Sequence, residues 1–168
     1  MATKFNVDKT HSSVGFSVRH MMISNVKGEF KDFSGSAEFD NNAFTALNAD
    51  IVVKSIFTGE PKREAHLLSP DFFDEANFPI LNFKMTSYKA GEMVGDLTIR
   101  GNKKSVKLSV DVNGVIENSG TKHLGFSLSG KISRKEFGLT WNGLIETGGA
   151  MVGDEVKLII EVEAVEVK

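Results

Sequence analysis

The side chains best suited to acid–base chemistry or metal binding in this sequence are four histidines, His11, His20, His66 and His123. No two of them have the four-residue spacing of zinc ligands on one helix face, and we find no cluster of Asp or Glu beside them. His11 precedes Ser12, but neighbouring residues on a strand point to opposite faces and cannot form a nucleophile–base pair. We therefore predict no metal site and no catalytic residue, and we expect that the protein is not an enzyme.

The composition excludes further kinds of site and partner. Because the sequence has no cysteine, it has no disulfide, no thiolate nucleophile and no cysteine-ligated zinc. The net charge is −2 and the lysines and arginines are scattered, whereas a face that binds nucleic acid requires concentrated basic side chains. We therefore expect neither a nucleic-acid partner nor a cofactor.

Three basic side chains are candidates for contact with the polar head of a ligand. His20 continues the inward side of a predicted strand around residues 14–18, so we expect its side chain at one end of the interior. Arg63 and His66 are three residues apart on a predicted helix and therefore share a face. Each candidate has an alternative role. The alternative for His20 is a hydrogen-bonded residue of the core, and the alternative for Arg63 and His66 is an ion pair with an acid such as Asp71.

Alternation of apolar and polar residues is the dominant pattern of the sequence. It indicates strands with one dry and one wet face, since successive side chains of a strand point to opposite sides. The alternating segments lie at residues 14–18, 47–53, 81–85, 93–99, 106–112, 126–132 and 156–162. Many such strands without long helices between them predict an antiparallel meander that closes into a barrel or folds into a sandwich.

Short segments rich in Gly and Asn lie between these strands and predict hairpin turns. They are Gly28, Gly35, Asn41-Asn42, Ala90-Gly91, Gly101-Asn102, Asn113-Gly114, Ser119-Gly120 and Gly153-Asp154. Two runs without a breaker, 103–112 and 155–167, are longer than a usual strand of about 5–6 residues. We therefore predict an elongated all-β fold of about eight main strands, in a single domain over residues 1–168.

One segment, near residues 59–75, departs from the strand pattern and predicts a short helical insertion. Pro61 is followed by good helix formers, and Ser69-Pro70 is typical of a second helix start with Ser69 as N-cap. The large apolar side chains of the insertion and the residues after it are Leu67, Leu68, Phe72, Phe73 and Phe78. Because it is too apolar for a free loop, we expect it to cover a hydrophobic opening as a plug or a lid.

The aromatic composition indicates how polar the interior of the fold is. The chain has 13 Phe but one Trp and one Tyr. Buried Trp and Tyr usually need a hydrogen-bond partner, whereas Phe needs none, so a Phe-rich interior suits a dry space. An ordinary Phe-rich core is the alternative.

A set of segments spread over nearly the whole chain carries a resemblance to known proteins. The segments are Asp8–Phe16, Arg19-His20, Val26–Phe30, Ser55–Thr58, Arg63–Leu67, Asp71–Asp74, Phe78-Pro79, Gly95–Gly101 and Ile132–Gly138. No single segment is specific, but in their number and order they resemble the YceI-like family of polyisoprenoid-binding proteins. The sequence departs from the family pattern at Glu64, where an Asp is frequent.

The resemblance implies an antiparallel lipocalin-like β-barrel that holds a long isoprenoid or similar chain, such as a quinone or a prenyl phosphate. It also implies a periplasmic location and a homodimer, and we expect transient contact with a membrane. The first residues lack the apolar segment of a secretory signal peptide, so the cytoplasm is the alternative location. A fatty-acid or fatty-amide carrier requires a similar lining and remains an alternative function.

We predict that the ligand contacts the inward-facing side chains of the strands and the apolar side of the insertion. The predicted contact residues are Val14, Phe16, Val18, His20, Ile51, Val53, Phe57, Arg63, His66, Leu67, Phe72, Phe73, Phe83, Met85, Leu97, Ile99, Leu108, Val110, Phe126 and Leu128. A further alternative is an enzyme in which His20, Arg63 and His66 act on a prenyl diphosphate. The sequence lacks the paired carboxylates that would hold Mg²⁺ for that reaction.

Overall fold

The computed structural model of the chain describes residues 2–142 and 152–168. The strands are β1 (Thr3–Val7), β2 (Ser13–His20), β3 (Ser24–Phe30), β4 (Phe33–Asp40), β5 (Ala43–Val52), β6 (Ile56–Phe57), β7 (Ile80–Lys89), β8 (Glu92–Ile99), β9 (Asn102–Asn118), β10 (Thr121–Ser133) and β11 (Val152–Glu166). The helix is α1 (Pro61–Leu68), and 3₁₀ turns lie at Lys9–His11, Val53–Ser55 and Arg134–Phe137. Within the described ranges, no helix has the length and apolar character needed to cross a membrane.

The strands form a closed, entirely antiparallel barrel. The hydrogen-bonded order β1-β4-β5-β7-β8-β9-β10-β11 returns to its start because β11 also pairs with β1, which gives a ring of eight strands. The three remaining strands lengthen strands of this ring. β2 follows β1 after a break at residues 8–12, and β6 follows β5 after a break at residues 53–55. β3 precedes β4, from which residues 31–32 separate it. The predicted elongated barrel of about eight strands is confirmed.

The register of the ladders explains why alternation predicts this fold. Opposite residues of an antiparallel pair share a face, and here apolar side chains lie opposite one another: Phe83 opposite Leu97, and Leu128 opposite Ile160. A shift of one residue would turn every inward side chain outward. β9 and β11, with 17 and 15 residues, exceed the usual strand length of about 5–6, so the barrel is elongated.

Three of the predicted hairpin turns are confirmed, at Asn41-Asn42, Ala90-Gly91 and Ser119-Gly120. In each, both central residues have positive φ, which is the conformation of a two-residue hairpin turn. The turn predicted at Gly101-Asn102 lies one residue earlier, because Asn102 already begins β9.

The turn predicted at Asn113-Gly114 is wrong. β9 continues through this pair as a bulge, with a φ of 135° at Gly114 and a shift of register against β10. Gly28, Gly35 and Gly153 also lie inside strands. At Gly28 a Cβ atom would lie 2.5 Å from Cζ of Phe16, so this glycine permits close approach of a ring rather than a turn.

The two ends of the barrel differ. The β4–β5, β7–β8 and β9–β10 turns lie at one end, which we call the closed end. There Phe44 packs edge-on against Phe39, Tyr88 and Phe126, with ring centroids 4.9, 5.3 and 4.8 Å away. Phe5 in the same region is 1% exposed. This end is therefore a solid aromatic core.

The opposite end, which we call the lid end, is covered by the lid, residues 61–78. α1 begins at Pro61 as predicted, but the second helix predicted from Ser69 is wrong. The N–H groups of Phe73 and Glu75 donate back to the carbonyls of Leu67 and Leu68, both at 2.9 Å, and thereby form compact turns instead of a helical ladder. The expected cover over a hydrophobic opening is present.

Candidate ligand cavity

An apolar cavity of about 190 Å³ lies inside the barrel and extends toward the lid end. Its volume is more than ten times the roughly 10–15 Å³ that a single water requires. On β11 the lining runs from Val152 to Val162, and at about 3.3 Å per residue this is roughly 33 Å of strand. The cavity is therefore long and narrow, a shape that suits a hydrocarbon chain.

The structure brings thirteen of the predicted contact residues together in this lining. They share the inward face of their strands or the inner side of the lid. They are Val14, Phe16, Val18, Ile51, Leu67, Phe72, Phe73, Phe83, Leu97, Ile99, Leu108, Phe126 and Leu128. Alternation therefore identified part of the wall, because the inward side of each strand stays constant along an unbroken ladder.

Four apolar predictions differ from the structure and lie outside the lining. The 3₁₀ turn at Val53–Ser55 interrupts the alternation, so Val53 is fully buried elsewhere and Phe57 is 45% exposed. The ladder beside Met85 shifts register before Ser87. Val110 belongs to the buried core without reaching the cavity.

The three basic predictions also lie outside the lining that the structure describes. His66 pairs with Asp71, Nε2 to Oδ2 at 2.8 Å, which is the alternative role predicted for it. Arg63 instead donates from Nε to the Thr58 hydroxyl at 3.0 Å and from Nη2 to the Thr58 carbonyl at 2.8 Å. His20 is the last residue of β2 and lies beyond the cavity. None of the three therefore faces the ligand space.

Sequence reasoning missed a wall of small residues. Gly35, Ala37 and Ala49 line the cavity on β4 and β5, and Gly35 lies opposite Ala49 in the ladder. A Cβ atom at Gly35 would lie 3.3 Å from Cβ of Ala49. These residues leave space that larger side chains would fill, and small residues at inward positions of β5 were the available signal.

Further apolar lining residues were not among the predicted contacts, although several lie on the same strands as predicted ones. They are Val7, Gly15, Phe30, Phe33, Leu47, Leu81, Val106, Ile132, Leu139, Val156, Leu158 and Ile160. The alternation of β11 is visible in the sequence, so its inward residues could have been predicted as ligand contacts.

Arg134 is the charged side chain of the described lining, and it is 3% exposed. Its guanidinium donates to the carbonyl oxygens of Leu139, Gly153, Trp141 and Val152, at 2.6, 2.8, 2.8 and 3.2 Å. The side chain therefore joins the segment after β10 to the start of β11. Because four of its N–H groups are engaged in this way, the cavity presents almost only hydrocarbon to a ligand.

Glu64 fixes the start of the lid helix. Its Oε2 accepts hydrogen bonds from the Thr58 N–H at 2.9 Å, the Thr58 hydroxyl at 3.2 Å and the Glu60 N–H at 3.2 Å. The hydrogen bond from the Thr58 N–H is the main reason that the pKa of Glu64 lies below its ordinary value. The glutamate at this position thus has a definite role in the lid.

We expect Glu64→Gln to loosen the lid at neutral pH. A carboxylate with a lowered pKa stabilises the folded lid fully above its ordinary pKa, and this stabilisation is lost as the pH falls through the lowered value. The protection of residues 58–68 against hydrogen exchange, corrected for the pH dependence of the intrinsic exchange rate, should therefore fall on acidification in the wild type and already be lower in Glu64→Gln at pH 7. Glu75→Gln makes the same charge change outside this cap and is the control. Equal exchange in the wild type and Glu64→Gln at pH 7 would contradict the assignment.

The structure also corrects the expectation that no acids stand beside the histidines. His11 Nδ1 lies 2.7 Å from Asp8 Oδ2, and Glu163 Oε2 lies 3.9 Å from His11 Nδ1 and 3.5 Å from His123 Nδ1. The bond between Asp8 and His11 raises the pKa of His11 and lowers that of Asp8. Asp8 also caps the adjacent turn through Thr10 N–H, and its own N–H donates to the Glu163 carbonyl. These bonds hold residues 8–12, the segment between β1 and β2, against β11.

Comparison with known proteins agrees with this fold. The YceI-like domain matches residues 5–164. A UPF0312 protein of Staphylococcus epidermidis is 40% identical over 159 residues, covering 92% of this chain and 93% of the relative. The Campylobacter jejuni YCEI protein has a TM-score of 0.79 at 38% identity, covering 96% of both chains. A polyisoprenoid binding domain from Saccharophagus degradans shares the fold, with a TM-score of 0.71 at 12% identity over 99% of this chain and all of that one. The chain therefore belongs to the YceI-like domain family.

Proposed function

We propose that this protein binds a long apolar lipid in the barrel and carries or stores it. The observation that supports this most is the elongated cavity with an almost wholly hydrocarbon lining. The ligand class that fits is a polyisoprenoid, a quinone or a prenyl phosphate, with the isoprenoid tail inside. The Saccharophagus degradans domain, which shares the fold, is a polyisoprenoid binding domain.

The energetics favour a carrier over a permanent holder. Each CH₂ group removed from water contributes about 0.8 kcal/mol, so a long prenyl chain does not travel free through water. A bilayer is also apolar, and relative to it this contribution nearly cancels. Net loading then depends on the shape of the cavity, on contacts with the head of the lipid and on opening of the lid.

The arrangement of the basic residues favours binding over catalysis. An enzyme acting on a prenyl diphosphate through His20, Arg63 and His66 would need these side chains to meet at the ligand. All three lie outside the described lining, and Arg63 and His66 are engaged with Thr58 and Asp71. We therefore propose that the protein binds the lipid and does not catalyse a reaction on it.

Native mass spectrometry of gently purified protein tests the ligand class. We expect added mass that corresponds to a co-purifying isoprenoid lipid, and uptake of ubiquinone and geranylgeranyl phosphate by protein stripped with solvent. A fatty acid or fatty amide in the barrel would favour the alternative carrier. Protein that is empty and refuses both prenyl probes would refute the proposal.

The proposal has two finer parts, and each has its own measurement. We propose a homodimer, which the native mass reports directly, and a periplasmic location for the natural protein. Cell fractionation of the natural producer checks the location, and recovery in the cytoplasm would contradict it.

A further inference from the structure

The hairpin between β2 and β3 ends in three exposed apolar residues. Met21, Met22 and Ile23 are 40%, 60% and 81% exposed, so the core does not account for them. The topology places this hairpin at the lid end, because β2 and β8 both run toward that end and α1 lies over it. Val18, on the same hairpin, lines the cavity. The apolar tip thus extends from the end of the barrel through which a ligand would enter.

The backbone of this turn does not favour methionine. Met21 and Met22 have φ values of 51° and 65°, a conformation that is costly for most residues with a Cβ atom and favours Asn, Asp and Gly. Four other turns in the described parts of the chain have two consecutive residues of positive φ, and each contains Asn or Gly. They are Asn41-Asn42, Ala90-Gly91, Arg100-Gly101 and Ser119-Gly120. Turn formation therefore does not explain Met21-Met22 either.

The charges that the hairpin itself carries next to the tip are of one sign, although Asp154 and Glu155 of β11 lie in the stretch opposite Arg19. Residues 19–27 include Arg19 and Lys27 and contain no Asp or Glu. Both basic side chains are exposed. Apolar side chains at a tip with cations behind them complement an anionic lipid surface, where the apolar groups enter the acyl boundary and the cations meet the headgroups.

We propose that the tip formed by residues 21–23 inserts into an anionic bilayer and docks the lid end there, so that lipid passes between bilayer and cavity. This inference rests on the proposed function, because it supplies the source of the lipid. Docking at this end keeps the hydrocarbon chain out of water during transfer, which is favourable for every CH₂ group that stays apolar.

Flotation with vesicles of phosphatidylcholine and phosphatidylglycerol tests the docking. We expect the wild type to bind and Met21→Asn/Met22→Gly to bind about tenfold or more weakly, since burial of one large apolar side chain already contributes that much. The same variant should unfold at an equal or higher temperature, because Asn-Gly suits the turn. Ile23→Ser leaves the two positive-φ positions unchanged and should also weaken binding.

Ile116→Ser is the matched control, since Ile116 is 70% exposed near the closed end. It should bind vesicles as the wild type does. Wild-type binding by both tip variants, or an equal loss in Ile116→Ser, would overturn the proposal.

Loading from detergent micelles with geranylgeraniol separates docking from the proposed function. Tip variants should load from micelles as the wild type does and load slowly from vesicles. Tip variants that also fail with micelles would overturn the docking role, because the tip would then act on the cavity itself. A wild type that binds vesicles but does not load from micelles would support docking and contradict the proposed function.

Discussion

Ala49→Phe is expected to reduce lipid affinity by at least about tenfold while the barrel stays folded, since a loss of about 1.4 kcal/mol suffices for that factor. Ala49 is half-buried, lines the cavity and lies opposite Gly35 and Phe83 on the neighbouring strands. A benzyl group at this position enters the space that the ligand would occupy. Overpacking of a solid core costs about 1–3 kcal/mol, but here the ring enters a cavity, so the cost should fall at or below the lower limit.

Ala46→Phe provides the matched control for this substitution. Ala46 lies on the same strand, opposite Glu38, and outside the lining that the structure describes. Titration of both variants with ubiquinone, alongside urea unfolding, separates affinity from stability. Affinity that falls equally in both variants, or in neither, would show that the ligand does not occupy the space beside Ala49.

Sequence alternation predicted the wall of the barrel where strands run unbroken. β7 to β11 are each a single segment, and inward residues such as Phe83 and Leu97 keep one phase up to the shifts of register beside Met85 in β7, at Asn113 in β9 and before Val156 in β11. β3 was not predicted because it has few apolar residues, and β1 because it has only five residues. A pattern that depends on a long half-buried strand cannot identify such segments.

The breaks in the first strands explain the wrong positions within the candidate site. The inward–outward alternation of β5 ends at the Val53–Ser55 turn. Extending it to Phe57 therefore predicted an inward side chain, whereas the Phe57 ring is exposed. Nothing in the local sequence marks that turn, because long-range bonds such as Val53 N–H to the Pro79 carbonyl accompany it. Arg134 is a similar case. Its partners are backbone carbonyls, which a sequence does not display.

Phe5→Ala is expected to destabilise the protein by about 3–5 kcal/mol, whereas Phe16→Ala should cost less than about 2 kcal/mol. Phe5 is 1% exposed in the solid closed end, so its removal loses transfer free energy and also creates a cavity. Phe16 is half-buried and lines a cavity that already exists, so the second cost is small. Urea denaturation of both variants measures the difference.

Lipid affinity should show the opposite order. Phe16→Ala removes a wall of the ligand space and should weaken ubiquinone binding, while Phe5→Ala, outside the described lining, should leave it nearly unchanged as long as the variant is folded. This inversion is what distinguishes a lined cavity from an ordinary Phe-rich core. If both variants lost the same stability, the interior around Phe16 would be as solid as that around Phe5, and a barrel without room for a lipid tail could not be a carrier.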